Sequence, residues 1–326
     1  MTVAAEKYWP KISIITPSFN QGIYLDDCIQ SILGQDYPNL EYFIIDGGSK
    51  DQSIRIIKKY EEQLSGWVSE PDQGQSDAIN KGIKSASGDL IAWLNADDYY
   101  LPGALQTIAA TYLQHPEAPF FFGDGLRVDE KKSQSRQFFQ TGIVSFDRTA
   151  LIFGLNYILQ PATFIRRASL EKIGYLDVNL HYAMDTDLWL RLSLEAEPVP
   201  VQAVLAVSRE HGSTKTATGS FKRLEELRQV AEKHSDTPVT PGYLCYFLDT
   251  LERYMREHDD VYPPAYREKL LEFWSLTGNL LAQYNARPDG FPTHPTTNPK
   301  PASASVTNWA KSIKNKMIKF IRSRKA

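Results

Sequence analysis

The feature that most constrains the fold is a regular alternation of strand-like and helix-like segments between residue 11 and about residue 114. Short runs of β-branched and apolar residues are each followed by a stretch with apolar residues at helical spacing. The predicted strands cover residues 11–19, 40–49, 67–72 and 89–95, and the predicted helices cover 22–35, 51–64, 76–86 and a segment with Pro102 in its first turn. Such alternation predicts a parallel α/β sheet with helices on both faces.

The pattern changes after residue 118. Further strands are predicted at 118–129, 133–142 and 199–211, a strand that enters a helix at 159–174, and an amphipathic helix at 185–196. From about Ser220 the chain is mainly helical in its pattern. We therefore assign residues 1–212 to an α/β domain, whose two halves are 11–100 and 101–212. A helical region at 213–286 follows, and then a flexible Pro/Thr/Ser/Ala-rich linker at 287–307.

The last segment, residues 308–326, has the composition of an interfacial helix. Five apolar residues can share one helical face, seven Lys and Arg residues surround them, and the segment contains no acid. This pattern predicts a basic amphipathic helix that lies on an anionic membrane surface. A solvated basic tail or an oligomer contact is the alternative interpretation. The apolar residues are Trp309, Ile313, Met317, Phe320 and Ile321.

Composition and motif searches exclude several classes of protein. The formal net charge of −3 argues against a nucleic-acid-binding protein. Cys28 and Cys245 stand alone, so we expect small core residues and no disulfide framework. The N-terminal residues lack the apolar core of a signal peptide, and no apolar run approaches the ~20 residues of a membrane span. We therefore expect a cytoplasmic protein, with the basic tail allowing a peripheral position on the cytoplasmic membrane face.

Polar motifs follow the predicted strands at the positions where those strands end. The first strand ends in TPSFN, the second in DGGS and the fourth in NADD, and DQGQSDAINKG leads into the helix before the fourth strand. Carboxyl ends of parallel strands meet at one edge of a sheet, which is where α/β proteins bind ligands. TPSFNQG does not match the dinucleotide-binding GxGxxG pattern, and the chain has no P-loop sequence. A nucleotide must therefore be held by another arrangement.

Asp97 and Asp98 follow the fourth strand as an adjacent pair. Two neighbouring carboxylates raise each other's pKa, so a bare pair is unfavourable. A divalent cation removes that penalty, and oxygen ligands suit Mg²⁺ or Mn²⁺ bridging to substrate phosphates. The alternative is that one of the two aspartates caps the helix that follows Pro102.

Three ordered segments resemble the family 2 glycosyltransferases, which have the GT-A fold. They are SIITPSFNQGIYLDDCIQSILGQDYPNLEYFIIDGGSKDQS, DQGQSDAINKGIKSASGDLIAWLNADD and MDTDLWLRL. The resemblance covers about residues 11–212 and does not extend to the C-terminal third. It implies a nucleotide-sugar-binding half at 11–100 and an acceptor half at 101–212. The resemblance also implies a Rossmann-like mixed sheet with helices on both faces, to which this chain would add a helical C-terminal extension.

For the donor, the resemblance implies a nucleotide pocket formed by the strand-end motifs. Asp46 corresponds to the acid that contacts the base, usually uracil, and Asp77 to the acid that completes the nucleotide site. NADD resembles the DxD motif of the family, with Asp98 as the metal ligand and Asp97 on the ribose or sugar side. The remaining donor-site residues are Thr16, Pro17, Asn20, Gly48 and Asn95, the last standing at the first DxD position.

For the acceptor, the resemblance assigns the catalytic base to Asp185 in YAMDTDLWLRL. Met184 stands where the family carries Glu, Asp187 is the alternative base, and a helix-capping role for Asp185 is the structural alternative. His211 in SREHGST is a candidate second metal ligand or a structural histidine. Gln160 in LQPATFIRR is a candidate contact to substrate hydroxyls or a residue that satisfies the backbone.

The resulting expectation is a Mn²⁺- or Mg²⁺-dependent inverting glycosyltransferase. It would transfer a sugar, with a UDP-sugar as the expected donor, to a hydroxyl of a saccharide or lipid-linked saccharide in cell-surface polysaccharide or O-antigen synthesis. Asp185 would remove the proton from the acceptor hydroxyl, and the cation would stabilise the leaving diphosphate. The alternatives are a non-catalytic nucleotide-sugar-binding protein with the same fold and a nucleotidyltransferase. The latter would ordinarily carry a basic glycine-rich loop after the first strand, which this chain lacks.

Overall fold

A computed structural model describes residues 8–129, 134–139, 142–143, 145–212, 214–237 and 239–257. The predicted linker, the predicted tail helix and the part of the predicted helical region after residue 257 lie outside these described residues. The described residues all belong to the first of two compact units, Met1–Phe291.

The first half of the domain alternates strands and helices as its sequence pattern predicts. Its elements are β1 Ile12–Ser18, α1 Gly22–Leu33, β2 Leu40–Asp46, α2 Ser53–Lys59, β3 Gly66–Ser69, α3 Gln75–Ser85 and β4 Leu90–Trp93. The strands pair side by side in the order β3-β2-β1-β4, and all of these pairs are parallel.

The second half adds shorter and antiparallel elements. They are β5 Tyr99–Tyr100, α4 Ala104–Gln114, β6 Phe120–Asp129, β7 Ser135–Gln137, α5 Arg148–Phe153, β8 Thr163–Arg166, α6 Arg167–Ile173, α7 Met184–Leu192, β9 Val199–Glu210, α8 Lys215–Thr218, α9 Ser220–Ser235 and α10 Pro241–Glu257. Two 3₁₀ turns occur, at Glu61–Gln63 and Gln160–Ala162.

All of these strands form one mixed sheet in the order β3-β2-β1-β4-β8-β6-β9-β5, with β7 beside β6. Strand β8 joins the parallel half antiparallel to β4, and β9 runs parallel to β6. Strand β5 pairs antiparallel with β9, where Tyr99 lies opposite Val207. This pairing brings the end of β9 next to the turn that follows β4.

Helices cover both faces of the sheet because its central strands are apolar on both sides. Every residue of β1 is buried. Ile12 and Ile14 pack into the layer that contains α1, α2 and α4, whereas Ile15 packs into the layer that contains α3, α6 and α7. Each such side chain contributes roughly 1.5–3 kcal/mol of burial free energy. The predicted α/β class and mixed sheet are confirmed.

The start of α4 differs from the prediction. Pro102 lies before the helix, and Gly103 occupies the N-cap position with φ +82°, in the left-handed region that favours glycine. Neither Asp97 nor Asp98 caps this helix, so the capping alternative for the acidic pair is wrong. The two aspartates therefore need another explanation.

The described part of the predicted helical region contains the short helix α8 and two longer helices, α9 and α10. The two longer helices pack against each other and against α5, and Val230 of α9 belongs to the same apolar layer as α7. Cys28 and Cys245 are both buried core residues, as predicted. Among the helices in the described ranges, none is long and apolar enough to cross a membrane.

Candidate active site

The loops after β1 and β2 are joined directly at the carboxyl edge of the sheet. Asn20 donates its backbone N–H to Ser49 Oγ at 2.7 Å, and its side-chain oxygen accepts from the Lys50 amide at 2.8 Å. Asn20 adopts φ +53°, which asparagine tolerates better than most residues. The predicted convergence of TPSFN and DGGS is therefore present as a hydrogen-bonded pair of loops.

Asp46 is fully buried at the end of β2 and orders the DGGS loop. Its carboxylate accepts from the amides of Gly48 (3.0 Å) and Ser49 (2.8 Å) and from the hydroxyls of Ser49 (2.5 Å) and Ser69 (2.7 Å). Gly48 adopts φ +83°, a conformation that permits this tight turn. This geometry favours a role in shaping the loop over the predicted direct contact with a base.

The prediction for Thr16 needs correction. Its side chain is fully buried, and its hydroxyl hydrogen-bonds the Tyr42 hydroxyl at 3.0 Å inside the core. Thr16 therefore stabilises the packing between β1 and β2 and does not line the pocket. Pro17 is buried one residue further along β1. By contrast, Phe19 has 61% of its surface exposed at this edge, and the sequence interpretation passed over it.

Residues at the start of α3 connect the donor motif to the acceptor half. Ser76 donates its hydroxyl to the Leu180 carbonyl at 2.9 Å. Asn80 donates to the Leu176 carbonyl at 2.8 Å and accepts from the Leu176 amide at 3.1 Å. Two polar residues of DQGQSDAINKG thus have a structural role that their sequence context does not reveal.

Asp77 lies in the first turn of α3 and remains partly accessible. Its carboxylate accepts from the Gln73 amide at 3.2 Å and forms an ion pair with Lys81 at 3.4 Å. The negative charge near the helix N-terminus is favourable because the aligned peptide dipoles make that end positive. Its predicted place in the nucleotide site stays a prediction.

A polar network holds the NADD turn in place. The Asp98 amide donates to the Asn95 carbonyl at 3.0 Å, which closes the turn. The Asn95 side chain accepts from Gln75 at 2.6 Å and donates to Gln160 at 3.2 Å. Gln160 also donates to the Trp93 carbonyl at 2.8 Å. Gln160 therefore satisfies the backbone of β4, which matches its structural alternative.

The acidic pair and His211 come together beyond the ends of β4 and β9. His211 Nε2 lies 3.0 Å from Asp97 Oδ2, and its ring stacks on Tyr24 with centroids 4.9 Å apart. The side chains of His211 and Asp97 are only 4% and 13% exposed. Asp98 is more enclosed, and its Oδ1 accepts from the Arg209 amide at 3.1 Å.

Burial and the neighbouring charge of Asp97 raise the pKa of Asp98 well above its ordinary value. The hydrogen bonds from Arg209, Ser208 and Asn95 act in the opposite direction and are outweighed. Two like charges a few ångströms apart near a protein surface repel by roughly 4 kcal/mol. The site therefore disfavours two ionised carboxylates unless a positive charge lies near them.

Arg209 is a buried cation beside this pair that the sequence interpretation missed. Its guanidinium stacks over the rings of Tyr99 and Tyr24 at 4.9 and 5.3 Å and pairs with Asp27 of α1. Its Nη1 atom is buried and has no hydrogen-bond partner among the described residues. Arg209 and His211 stand two positions apart at the end of a strand, a spacing that places both on one face.

The donor set fits a hard divalent cation in kind. Asp97 and Asp98 supply the carboxylate oxygens that Mn²⁺ and Mg²⁺ prefer. His211 adds an imidazole nitrogen, a ligand more typical of transition metals than of Mg²⁺. Within the described residues, however, no group of three His, Cys, Asp or Glu side chains has metal-holding geometry. Asp97 and His211 are instead hydrogen-bonded to each other, so a cation bound between them would replace that bond.

Asp185 lies in the first turn of α7 and remains partly accessible. The N-cap residue of α7 is Ala183, so the capping alternative for Asp185 is wrong. Asp185 Oδ1 accepts from the Thr186 amide at 2.7 Å, and Oδ2 accepts from the side chain of Asn156 at 3.3 Å. Asn156 is a positioning contact that no motif in the sequence suggested.

The environment of Asp185 suits a general base. Burial raises its pKa, while hydrogen bonds from Thr186 and the positive charge of Arg223 partly offset this effect. A carboxylate with a raised pKa accepts a proton more readily, provided that it is ionised at the working pH. Asp185 thus combines partial access, fixed orientation and raised basicity.

Asp187 is not the base, because its carboxylate is fully buried in an ion-pair network. It pairs with Arg191 at 2.8 Å, with Lys233 at 2.7 Å and with His234 at 2.9 Å. Burial alone would raise the pKa of Asp187, but the hydrogen bonds from these three partners hold it below its ordinary value. Asp187 therefore connects α7 to α9.

Glu226 of α9 makes a second connection to α7. Its carboxylate accepts from three consecutive amides, those of His181 (2.9 Å), Tyr182 (2.6 Å) and Ala183 (3.1 Å). The N-cap residue Ala183 has no side-chain acceptor of its own, so Glu226 supplies the cap from another helix. The turn that carries Asp185 is thereby fixed from both sides.

We predict that Glu226→Gln lowers kcat about tenfold with little change in KM for the donor. Loss of one charged acceptor weakens three hydrogen bonds worth roughly 1.5–3 kcal/mol each, and Asp185 loses its fixed orientation. Steady-state kinetics measure the effect. Glu225→Gln is the matched control, because Glu225 is adjacent on α9 and, among the described residues, hydrogen-bonds Arg228 and Gln229 of its own helix. Equal kcat values for wild type and Glu226→Gln would contradict the positioning role.

Comparisons with known proteins assign the chain to a family of enzymes. A family profile described as glycosyl transferase family 2 matches residues 13–174. An uncharacterized glycosyltransferase of Mycobacterium tuberculosis is 30% identical over 228 residues, which are 68% of this chain and 85% of that protein. The chain belongs to glycosyl transferase family 2. Neither the non-catalytic nor the nucleotidyltransferase alternative gains support.

Two further relatives carry glycosyltransferase names. An uncharacterized glycosyltransferase of a Nostoc species is 36% identical over 254 residues, covering 73% of this chain and 76% of that protein. A PGL/p-HBAD biosynthesis glycosyltransferase of Mycobacterium bovis is 31% identical over 186 residues, covering 56% and 69%.

Solved structures of glycosyltransferases share the fold. Staphylococcus aureus TarS in complex with UDP-GlcNAc gives a TM-score of 0.56 at 17% identity, over 86% of this chain and 82% of that one. The mannosyltransferase PcManGT of Pyrobaculum calidifontis, in complex with GDP-Man and Mn²⁺, gives 0.56 at 15% identity, over 86% and 85%. The fold is GT-A, as the sequence resemblance implied.

Proposed function

We propose that this glycosyltransferase is a metal-dependent inverting enzyme that uses a UDP-sugar donor. The acceptor is a hydroxyl of a saccharide or of a lipid-linked saccharide in cell-surface polysaccharide synthesis. Asp185 is the base, and Asp97 and Asp98 face the donor. Asp98 with His211 would hold the cation, in which case His211 exchanges its hydrogen bond to Asp97 for the metal. This division of roles explains why the Asp97–Asp98 pair and Asp185 have different environments.

The observation that carries the proposal is the direct docking of the donor motif against the helix that bears Asp185. Ser76 hydrogen-bonds the Leu180 carbonyl at 2.9 Å, four residues before Met184, the first residue of α7. Gly74, the N-cap residue of α3, lies close against the His181 ring, since a Cβ atom built on it would be 3.3 Å from His181 Nδ1. The α3 terminus and the α7 terminus thus share one surface, as a single-displacement reaction between donor and acceptor requires.

The chain's own residues divide the chemistry between them. Asp185 accepts the proton of the acceptor hydroxyl as that oxygen attacks the anomeric carbon from the face opposite the leaving group. Asn156 and Thr186 keep its carboxylate aimed during this step. The unpartnered Nη1 atom of Arg209 supports an interaction with a phosphate oxygen. Mn²⁺ or Mg²⁺, when bound, would supply Lewis-acid stabilisation of the diphosphate charge.

The donor class is tested by binding. Solved relatives of the same fold contain UDP-GlcNAc or GDP-Man with Mn²⁺, which supports a nucleotide-sugar donor without fixing its base. Calorimetric titration of UDP and GDP in Mn²⁺ and in EDTA should give the tighter complex with UDP and Mn²⁺. Equal or tighter binding of GDP would contradict the UDP assignment, and unchanged UDP binding in EDTA would contradict the metal assignment.

Location is a further part of the proposal. We place the enzyme in the cytoplasm, with residues 308–326 holding it on the cytoplasmic face of an anionic membrane. The segment carries Lys311, Lys314, Lys316, Lys319 and Arg322 beside its apolar residues. Juxtamembrane basic residues contribute about 1 kcal/mol each to binding an anionic surface. A saccharide carried on a membrane lipid would be within reach of an enzyme held there.

Deleting residues 308–326 is expected to release the protein from anionic liposomes. Wild type should sediment at low salt with vesicles that contain about one-third phosphatidylglycerol. At high salt it should lose that association, because the salt screens the charges. The truncated form should stay in the supernatant under both conditions. Equal sedimentation of the two forms would remove the membrane role of the tail.

A further inference from the structure

Three arginines, on β6, β7 and α9, lie near enough to one another for the charges of Arg136 and Arg223 to act on Arg127. Arg127 and Arg136 are direct cross-strand partners in the antiparallel pair of β6 and β7. Like charges placed opposite each other destabilise a sheet, so this pairing needs a compensating negative charge. Arg223 adds a third guanidinium from α9, and it lies over the Tyr246 ring at 4.5 Å.

Among the described residues, fewer carboxylates than guanidinium groups lie at ion-pair distance in this cluster. Glu210 pairs with Arg136 at 2.8 and 3.0 Å and with Arg127 at 3.6 Å. Within the described ranges, Arg223 has no carboxylate at ion-pair distance. Burial lowers the pKa of Arg127, Glu210 opposes that shift, and the charges of Arg136 and Arg223 add to it. Glu210 pairs with two of the three arginines, and Asp185 is near enough for the charge of Arg223 to act on it. In the part of the chain that the structure describes, three guanidinium charges therefore face two carboxylates here.

The cluster is connected to the catalytic base through two side chains. The Tyr246 ring lies under Arg223, and the Tyr246 hydroxyl accepts from the Asn156 amide at 3.1 Å. Asn156 in turn donates to Asp185 Oδ2 at 3.3 Å. The charge of Arg223 also acts on the pKa of Asp185. An acceptor whose hydroxyl reaches Asp185 can therefore place a second group on the arginines.

We propose that Arg127, Arg136 and Arg223 form a binding site for a phosphate group of the acceptor. Guanidinium groups present paired N–H donors whose spacing matches phosphate oxygens, and several of them around one anion bind more firmly than a lysine cluster. The inference rests on the proposed function, because it assumes that acceptor chemistry occurs at Asp185. It adds that the acceptor is phosphorylated close to the hydroxyl that receives the sugar.

Two sources supply such a phosphate, a lipid diphosphate and a phosphodiester polymer. The test uses one probe for each, farnesyl diphosphate and a short glycerol phosphate oligomer, titrated into the full chain. UDP and Mn²⁺ are kept saturating so that the donor site is occupied. We expect at least one of the two probes to bind. The probe that binds more tightly identifies which source supplies the phosphate of the acceptor.

The variants Arg127→Ala and Arg223→Ala should each weaken binding of that probe about tenfold, since each loses a charge-assisted contact. Arg127→Lys keeps a positive charge and should lose less affinity for the probe than Arg127→Ala. Arg228→Ala is the matched control, because Arg228 is on the same helix and pairs with Glu225 and Glu232 on an exposed face. It should bind the probe as wild type does.

The inference is overturned if neither probe binds wild type, or if Arg127→Ala and Arg223→Ala bind as tightly as Arg228→Ala. UDP binding, measured first in every variant, separates this outcome from failure of the proposed function. Retained UDP binding with no effect of the arginines contradicts the phosphate site alone. Absence of UDP binding in wild type contradicts the proposed donor whatever the probes do.

Discussion

Asp185→Asn is expected to lower the rate of sugar transfer about 10²- to 10⁴-fold while UDP binding stays within twofold of wild type. Asparagine keeps the shape of the side chain and can still accept from the Thr186 amide, which lies 2.7 Å from Asp185 Oδ1. It cannot accept the proton of an acceptor hydroxyl at any working pH. Transfer is measured by product formation, and binding by calorimetric titration of UDP.

Asp187→Asn is the informative control for this substitution. Asp187 is buried among Arg191, Lys233 and His234, and breaking such a network by removing one charge costs about 3–5 kcal/mol. We therefore expect a lower melting temperature, with the folded fraction still active. Full activity of Asp185→Asn, or a loss of turnover in Asp187→Asn without loss of stability, would move the base away from Asp185.

The pH dependence of kcat/KM provides a second test of Asp185 as the base. Burial raises the pKa of Asp185, and below that pKa the carboxyl already holds a proton and cannot accept another. The wild-type kcat/KM should therefore rise with pH and level off above the raised pKa. Asp185→Asn should lose this rise, and an unchanged acid limb in that variant would assign the titration to another group.

Asp98→Asn is expected to abolish metal-dependent turnover, with a loss of at least about 10³-fold. The substitution removes the anionic ligand and leaves a neutral amide of the same size beside the Arg209 amide, which lies 3.1 Å from Asp98 Oδ1. The folded state should be retained, because Asp98 is held by uncharged donors as well. Turnover is measured across a Mn²⁺ titration and in EDTA.

The matched control is Asp26→Asn on the outer face of α1. Asp26 pairs with Lys59 at 2.9 Å at the surface and has no contact with the acidic pair. Its activity and Mn²⁺ dependence should equal those of wild type. Wild-type activity that persists in EDTA, or a Mn²⁺ dependence that Asp98→Asn leaves unchanged, would contradict the metal role of Asp98.

Much of the fold is encoded locally and could be predicted. Apolar runs of strand length, each followed by helical periodicity, specify β1 to β4, because a central parallel strand must be apolar on both faces. The same logic locates the ligand edge, since the polar residues that interrupt those runs stand where the strands end. The approximate positions of Asp97, Asp98 and Asp185 follow from this reasoning together with the family resemblance.

The functions of individual polar side chains could not be predicted in the same way. Asp46, Ser76 and Asn80 lie in motifs, yet they hydrogen-bond residues distant in sequence, namely Ser69, Leu180 and Leu176. Thr16 alternates to the core face of β1, a choice that depends on which layer each position meets. Arg209 is recognised only once β9 is known to end beside the NADD turn.

The contacts around the base depend entirely on tertiary structure. Asn156 precedes Asp185 by 29 positions, and Glu226 follows His181 by 45. Neither residue belongs to a short motif, because their roles arise from the packing of α5, α7 and α9. Asp185 and Asp187 look equivalent in sequence, and only the burial of Asp187 against Arg191, Lys233 and His234 separates them.

The central claim, sugar transfer from a nucleotide-sugar to an acceptor hydroxyl at Asp185, is tested most directly by a turnover screen. Wild type and Asp185→Asn are incubated with UDP- and GDP-sugars, Mn²⁺ or Mg²⁺, and saccharide or lipid-linked acceptors, and released nucleoside diphosphate is measured. We predict metal-dependent release from a UDP-sugar by wild type only, with an inverted anomeric configuration in the product. Release by both proteins at equal rates, or a retained configuration, would contradict the account.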